Sequence, residues 1–304
     1  MSYFLAIDAG GTKTDCLLAD EHRELARVRT GTIKRMRGDE TVCAANLDRA
    51  LAELTALAGV SMQSVACTCI GAAGESVPLV ADWLREALGA RVGGELILLG
   101  DVEIALDAAF PGTPGVIAIA GTGSNVAGRD VQGRLTTAGG WGPALADQGS
   151  GHRIGLQALR ALFLAHDEGR SSLLLPAVLD YWQLGSIGEL IEYANQLPAP
   201  DFSRLTETVL HCAQQGDAVA AAVLQREGEQ LAHLVRLVMR QLKLVSSDAA
   251  WTPPLAFGGS ILEKVAPLRT ALIAAVQSEF PAVNVHEGVV DPIAGALWRA
   301  RKGH

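Results

Sequence analysis

The stretch Ala6-Ile-Asp-Ala-Gly-Gly-Thr12 decides how the chain is interpreted, because Ala118-Ile-Ala-Gly-Thr-Gly-Ser124 repeats its pattern further along. Each copy is an apolar strand that ends in a glycine-rich turn. A second strand, an acidic turn and a third strand follow in both places. Similar elements in the same order indicate an internal duplication, so we expect two related lobes.

The hydrophobic pattern around these stretches alternates strands with helices. The first lobe is predicted to have strands at 4–8, 14–19, 24–30, 64–71 and 95–99 and helices at 40–60, 77–88 and 102–110. The second is predicted to have strands at 115–120, 125–129, 134–138, 254–257 and 282–286, a helical region at 151–244, and helices at 260–277 and 292–301. The chain is therefore α/β, with lobes at 1–112 and 113–304 and a helical insertion at about 151–250 in the second.

Three positions refine the predicted helices. Gly59 lies where the first helix should end. Gly228 costs about 1 kcal/mol relative to alanine inside a helix, which argues against one continuous helix through it. Asp291 and Pro292 start the last helix, where small residues would allow a tight contact; this helix has the alternative of packing on the first lobe.

The composition argues against several classes of protein. The chain has 304 residues, 49% of them apolar and 19% charged, as in a globular protein with a real core. A formal charge of −8 and the lack of a long basic run argue against binding to nucleic acid. We expect no membrane helix and no secretory signal. Five scattered cysteines fit a reducing cytoplasm, and Cys67 and Cys69 should share one buried face.

The residues Asp8-Ala-Gly-Gly-Thr-Lys-Thr14 form a candidate phosphate-binding loop, because glycines let backbone N–H groups converge on an anion. Taken alone, an ordinary glycine-rich hairpin turn is the simpler interpretation. The second loop, Ala120-Gly-Thr-Gly-Ser-Asn125, favours phosphate binding, since two such hairpins could hold one triphosphate. Neither loop is a Walker A or dinucleotide-binding motif, because a strand rather than a helix follows each.

Asp101 follows the strand at 95–99 and opens the next helix. It is either an N-cap, which stabilises a helix by about 1 kcal/mol, or a general base, since ligands of α/β sheets collect beyond the carboxyl ends of strands. Position alone supports both interpretations.

Two further motifs have residue types that could bind a sugar ring or a nucleoside. Gly139-Gly-Trp-Gly142 and Asp147 combine an aromatic ring with a carboxylate, the pair that a pyranose ring favours. The alternative is a buried tryptophan corner, with Asp147 as a helix cap. Phe257-Gly-Gly-Ser260 ends a strand and opens a helix, and its glycines would let the backbone approach an adenine or ribose.

Together these motifs resemble the N-acetylglucosamine kinase family, part of the BadF/BadG/BcrA/BcrD ATPase superfamily and the actin-like ATPase clan. The resemblance extends over nearly the whole chain, with the motifs in the same order. It implies two actin-like (ribonuclease H-like) lobes and a cytoplasmic homodimer. It also implies transfer of the γ-phosphoryl group of ATP, with Mg²⁺, to an amino sugar, above all to the 6-hydroxyl group of N-acetylglucosamine, in a cleft that closes on both ligands.

The resemblance also implies roles for individual residues. Asp101 would be the general base, and Asp8 would lie near Mg²⁺. The residues that would bind the sugar are Thr122, Trp141, Gly142 and Asp147. The residues that would bind the nucleotide are Gly10, Gly11, Thr12, Lys13, Thr14, Gly121, Gly123, Ser124, Gly258, Gly259 and Ser260.

One departure from the family affects the substrate. The loop at 31–36, which usually offers an asparagine to the sugar, contains none here. Glucosamine or another hexose therefore stays open as the substrate. Two other functions stay open as well. One is an activator-type ATPase with an iron–sulfur cluster, which would need exposed cysteines; the other is a sugar sensor without catalysis, to which the retained Asp101 is the objection.

Overall fold

The computed structural model describes residues 2–35, 38–75 and 77–303. The chain forms two compact units, one of Met1–Pro114 with Val290–His304 and the other of Gly115–Val289. The sequence pattern divided the chain at 112/113 and counted 290–304 with the second lobe, with packing on the first lobe as the alternative. In the structure this segment belongs to the first unit.

Strands and helices alternate through most of the described chain. The strands are β1 (Tyr3–Ala9), β2 (Lys13–Ala19), β3 (Glu24–Gly31), β4 (Val65–Ala72), β5 (Glu95–Leu99), β6 (Gly115–Ala120), β7 (Ser124–Arg129), β8 (Leu135–Gly139) and β9 (Leu255–Gly258). The helices are α1 (Glu40–Ala58), α2 (Pro78–Gly89), α3 (Asp101–Ala109), α4 (Gly151–Asp167), α5 (Leu174–Trp182), α6 (Ile187–Ala194), α7 (Thr206–Gln214), α8 (Ala218–Leu244), α9 (Ser260–Lys264), α10 (Ala266–Gln277) and α11 (Pro292–Lys302).

The first unit is built on a sheet in the order β3-β2-β1-β4-β5. Strands β1, β2 and β3 pair antiparallel, whereas β4 is parallel to both β1 and β5. The carboxyl ends of β1, β4 and β5 therefore lie along one edge of the sheet. Ligands of α/β proteins collect at this edge.

Side chains alternate along β1 between two hydrophobic cores. Leu5 packs in one core with Leu84 of α2. Ala6 packs in the other with Ile104 of α3 and Leu297 of α11. Helices thus cover both faces of the sheet.

Small residues bring α11 close to α3, as the sequence predicted. A Cβ atom on Gly295 would overlap the backbone at Ile104 O. Asp291 caps the helix, with its carboxylate accepting a 3.4 Å hydrogen bond from Ile293 N. Cys67 and Cys69 are buried in the same core as this helix, which confirms that they share one face.

The second unit repeats the strand arrangement of the first, with a sheet in the order β8-β7-β6-β9. Strands β6, β7 and β8 pair antiparallel, and β9 is parallel to β6. They correspond to β1, β2, β3 and β4 in order and direction. The arrangement agrees with the predicted duplication.

Helices α4 to α8 lie between β8 and β9 and pack with the sheet in one core. The longest, α8, runs unbroken through Gly228, contrary to the expectation that this glycine interrupts it. Because Gly228 has no side chain, α10 packs closely there; a Cβ atom would lie 2.9 Å from Ala271 Cβ. Among the described helices, none has the length and apolarity to cross a membrane.

Two predictions near the end of the chain are wrong. The helix predicted at 260–277 is two helices, α9 and α10, separated at Val265, whose ψ of 72° is not helical. Pro267, in the first turn of α10, has no N–H group to continue the earlier helix. The strand predicted at 282–286 is reduced to one bridge between Leu255 and Val285.

Candidate functional site

The first candidate loop joins β1 to β2 in a tight turn. A Cβ atom on Gly10 would lie 2.7 Å from Lys13 O, so glycine is required there. Thr32 Oγ1 donates a 3.1 Å hydrogen bond to Gly10 O and holds the turn in place. Thr12 and Lys13 are exposed, whereas Thr14 is buried. The turn therefore presents backbone and a cationic side chain to solvent.

Asp8, at the end of β1, lies among other carboxylates. Burial raises the pKa of Asp8 to about 6, with further contributions from Asp101, Asp15 and Asp291. In residues 2–35, 38–75 and 77–303, no group of three or more metal-ligating side chains could hold a metal ion. Mg²⁺ is commonly held by one or two carboxylates together with substrate phosphates. Asp8 fits that arrangement.

Asp101 occupies the first position of α3, just beyond the carboxyl end of β5, and is half-buried. The N-cap is Gly100, whose N–H donates a 3.0 Å hydrogen bond to Glu103 Oε2, so the interpretation of Asp101 as the N-cap is wrong. Asp101 Oδ1 accepts a 2.9 Å hydrogen bond from Val102 N. Burial raises the pKa of Asp101, and the positive charge of Lys34 opposes that shift.

The loop that follows β3 contains Lys34. Lys34 is only 6% exposed. Its ammonium group acts on Glu75 as it does on Asp101: burial raises the pKa of Glu75, and Lys34 opposes the rise. A buried cation therefore faces two carboxyl groups at this edge of the first unit. Residue 36 of the loop lies outside the described residues.

Hydrogen bonds from two helices hold this loop. Asn46 Nδ2 of α1 donates to Thr32 O at 2.9 Å, and Trp83 Nε1 of α2 donates to Ile33 O at 3.0 Å. Ile33 itself is fully buried. The backbone before Lys34 is thus well anchored.

The second candidate loop joins β6 to β7 through the turn 121–124. Gly121 N donates to Gly123 O at 2.8 Å and closes the turn. The start of α4 supports it from one side, since Gly151 N donates to Gly121 O at 2.8 Å and His152 N donates to Thr122 O at 3.3 Å. Thr122 and Gly123 stay exposed.

Asp147 supports the same turn from another side. It is 4% exposed, and its Oδ1 accepts a 2.7 Å hydrogen bond from Ser124 N. The alternative interpretation of Asp147 as a helix cap is wrong, because Ser150 caps α4, with its Oγ accepting from Arg153 N at 3.1 Å. Asp147 therefore has a role in holding the turn that sequence analysis did not foresee.

Trp141 stands at an exposed turn after β8. It is 72% exposed, so the predicted alternative of a buried tryptophan corner is wrong. Gly142, at φ 86°, accepts hydrogen bonds at its carbonyl from Leu145 N and Ala146 N. The turn leaves the indole ring open to a ligand.

Gly258, Gly259 and Ser260 lie beside the turn 121–124. Gly258 pairs with Ile119 near the end of β6. A Cβ atom on Gly259, whose φ is 86°, would overlap Ala120 O. Sheet pairing thus brings these residues next to Gly121, as a nucleotide site requires.

Buried polar atoms without hydrogen-bond partners mark both loops. Of the six such side-chain atoms found in the described chain, four lie in or beside the loops: Thr14 Oγ1, Ser124 Oγ, Asn125 Oδ1 and Gln148 Oε1. A buried polar group usually has a partner, so these atoms indicate ligand or water positions. The two hydroxyl groups can donate or accept a hydrogen bond, whereas the two amide oxygens can only accept one.

The structure thus groups the predicted residues by unit. In the first unit, the charges of Lys13 and Asp101 both affect the pKa of Asp8. In the second unit, the turn 121–124 contacts Asp147 and lies beside Gly258, Gly259 and Ser260.

Sequence reasoning did not assign four other residues. Asn125 follows the glycine turn directly, and Gln148 follows Asp147. Lys34 lies in the loop that was noted only for lacking asparagine. Glu227 lies far along α8, where no motif marks it, yet it accepts a 2.9 Å hydrogen bond from Gly149 N.

The chain is similar to known proteins over nearly its whole length. An N-acetylmuramic acid/N-acetylglucosamine kinase of Clostridium acetobutylicum is 28% identical over 309 residues, covering 99% of each chain. An N-acetyl-D-glucosamine kinase of Dictyostelium discoideum is 27% identical over 314 residues, covering 98% of this chain and 97% of the relative. A Chromobacterium violaceum structure, provisionally designated an N-acetylglucosamine kinase, is 26% identical with a TM-score of 0.73 and 98% coverage of both chains.

The family model for these ATPases matches residues 5–299, nearly the whole chain. The mixed α/β fold with two related sheets confirms the predicted actin-like fold class. The chain thus belongs to the BadF/BadG/BcrA/BcrD ATPase family.

Proposed function

We propose that this chain is an ATP-dependent hexosamine kinase that phosphorylates the 6-hydroxyl group of N-acetylglucosamine. The observation that carries the proposal is the half-buried Asp101 carboxylate beyond β5, in the same unit as the glycine turn that follows β1. The names of the Clostridium and Dictyostelium relatives support N-acetylglucosamine as the substrate.

Asp101 serves as the general base. It accepts the proton of the sugar hydroxyl group as the oxygen attacks phosphorus. The elevated pKa of Asp101 makes it a stronger base than an exposed aspartate, and the positive charge of Lys34 opposes the rise. General-base catalysis of this kind contributes about 10²–10⁴-fold to the rate.

ATP supplies the phosphoryl group, with Mg²⁺ offsetting its charge. In the first unit, the N–H groups of Gly10, Gly11 and Thr12 bind phosphate, and Lys13 adds a positive charge. Asp8 would hold the metal, because its carboxylate lies in a region of excess negative charge. Phosphoryl transfer needs this positioning and charge stabilisation rather than a covalent nucleophile.

We propose a nucleotide-binding role for residues of the second unit as well. Backbone N–H groups of the turn 121–124 bind phosphate, and the unpartnered Ser124 Oγ adds a polar contact. Gly258, Gly259 and Ser260 bind the nucleoside, because the backbone there has no Cβ atoms at its first two positions to block a flat ring.

The same unit binds the sugar. Trp141 stacks on the apolar face of the pyranose ring, and its exposure leaves the indole available. Thr122 and Gly142 flank the sugar. Asp147 uses Oδ1 on Ser124 N, so a sugar hydroxyl group would donate to Oδ2. Asn125 Oδ1, buried without a partner, is an acceptor for a second hydroxyl group.

The activator-type alternative receives no support from the cysteines. All five are buried, and burial raises the pKa of both Cys16 and Cys69 to about 12. Iron–sulfur clusters are held by thiolates. A colourless protein after anaerobic purification is expected, and visible absorption would favour the activator function.

The deciding experiment is a coupled ADP-release assay with Mg²⁺ and a series of sugars. N-acetylglucosamine should stimulate release well above the rate without sugar, and glucosamine, N-acetylmannosamine and glucose less so. The 6-deoxy analogue should give only the sugar-free rate, because it lacks the attacked hydroxyl group. Equal rates with and without sugar would contradict the proposal, and sugar binding without turnover would support the sensor.

A homodimer in the cytoplasm remains part of the proposal. Sedimentation velocity of the purified chain tests the dimer, and fractionation of cells tests the compartment.

A further inference from the structure

Glu227 of α8 is a buried carboxylate with both oxygens in use. It is 1% exposed. Its Oε2 accepts a 2.9 Å hydrogen bond from Gly149 N, and its Oε1 accepts a 3.0 Å hydrogen bond from Arg153 Nε. A buried charge is costly unless it is paired and hydrogen-bonded, and here both conditions are met.

The segment held by Glu227 is the one that supports the turn 121–124. Asp147 and Gly151, two residues either side of Gly149, form hydrogen bonds to Ser124 N and Gly121 O. Glu227 is therefore linked to the turn through one short segment, without contacting it.

Close packing leaves this segment little freedom. Gly149 has a φ of 77°, and a Cβ atom there would lie 2.9 Å from Leu231 Cβ of α8. The neighbouring Gly228 packs α8 against α10 in the same way. The segment thus rests on a helix that is itself fixed.

We infer that Glu227 is a positioning residue that holds the turn 121–124 in the shape that binds nucleotide phosphate. The inference rests on the proposed function, in which that turn donates N–H groups to phosphate. The ion pair with Arg153 also offsets the negative charge of Glu227, which would otherwise repel phosphate.

The test is titration of the full chain with ADP and Mg²⁺, comparing wild type with Glu227→Gln. Glutamine can accept one of the two hydrogen bonds but has no charge for Arg153. We expect ADP to bind about 10-fold more weakly, because the variant loses a hydrogen bond between charged groups that holds the segment. The KM for the sugar should rise as well, because the proposed sugar ligands Thr122 and Asp147 lie in the turn and in the segment that Glu227 holds.

Asp217→Asn is the matched control. Asp217 is also a buried carboxylate associated with α8; it caps the helix through a 2.8 Å hydrogen bond from Ala220 N and accepts another from Ser172 Oγ. Its removal should lower the Tm but leave ADP affinity unchanged. If both variants weaken ADP binding equally, or if neither weakens it, Glu227 has only a structural role and the inference is wrong.

A further variant covers the case in which Glu227→Gln does not fold. Arg153 is 31% exposed, so the protein should tolerate Arg153→Gln. This variant should weaken ADP binding too, but by a smaller factor than Glu227→Gln. Unchanged affinity in that variant overturns the inference. Because the titration contains no sugar, a chain that binds ADP but phosphorylates no sugar contradicts the proposed function alone.

Discussion

Arg299 of α11 donates a 2.9 Å hydrogen bond from Nε to Asp107 Oδ2 of α3, joining two residues that are 192 positions apart in the sequence. Asp107 is fully buried, so this ion pair fixes how α11 lies on α3. Gly295 lies on the same helix and makes the close approach possible. The core below these helices includes Ala6 of β1, two residues before Asp8.

Gly295→Ala should destabilise the protein, because the added methyl group would overlap Ile104 O. Overpacking of this kind costs about 1–3 kcal/mol of unfolding free energy, and backbone contact places this site at the upper end. Denaturant unfolding measures it. Gly89→Ala is the control, since Gly89 has open space around its Cβ position. That substitution should leave the unfolding free energy unchanged or raise it. Equal stability of both variants would contradict the packing.

Asp101→Asn should lower kcat by about 10²–10⁴-fold while ATP and sugar still bind. Asparagine has nearly the same shape but cannot accept the proton. Asp48→Asn, which alters an exposed pair with Arg91, is the control and should leave kcat unchanged. Turnover like that of the wild type would remove Asp101 from the role of base.

The same variant should be more stable than the wild type at neutral pH. Burial raises the pKa of Asp101 in the folded state. A raised carboxyl pKa contributes stability below its unfolded value, and this is lost as pH rises through the folded value. The Tm difference between variant and wild type should therefore grow from pH 4 to pH 8. A difference that shrinks over this range would refute the account.

Lys34→Met should move the acidic limb of the kcat/KM profile to higher pH. Burial raises the pKa of Asp101 and Lys34 lowers it, so loss of the ammonium group lets the pKa rise further. Activity requires the ionised base, so the midpoint follows the pKa upward. Arg240→Met, which removes an exposed cation paired with Glu279, should leave the midpoint in place. A downward shift in Lys34→Met would be the opposite of this prediction.

Trp141→Ala should raise the KM for the sugar by about 3- to 10-fold, the range expected for loss of one stacking ring. Because Trp141 is 72% exposed, the Tm should hardly change. Leu145→Ala in the same turn is the control, since Leu145 is 80% exposed and lacks an aromatic face. If only the affinity for ATP changed, Trp141 would belong to another part of the site.

Local patterns predicted most of the fold. The strands at 95–99 and 115–120 match the structure because each is a compact apolar run ending at a glycine or turn residue. Gly59 ends α1 in the left-handed conformation, as predicted, with a φ of 67°. The pattern did not predict the break at Val265 or the loss of the strand at 282–286. Apolar residues in both places pack into the core without forming one continuous helix or strand.

The site was predictable only where function and local structure coincide. The glycine turns can be recognised in the sequence, because few residues other than glycine tolerate such backbone geometry. Asp147 was noticed, but its bond to Ser124 N was not, since the partners are far apart in sequence. Lys34 and Glu227 have no motif, and only tertiary packing shows what they face.

The return of α11 to the first unit has a consequence for the order in which the protein is assembled during synthesis. Residues 115–289 are synthesised before residues 290–304, so the whole second unit is made before the segment that completes the first unit. Asp8, Lys34 and Asp101 are made early, yet on one face of the sheet the core that α3 begins is incomplete until α11 packs there. A nascent chain would therefore contain the turn 121–124, proposed to bind phosphate, before the core beneath Asp101, the proposed base, is complete.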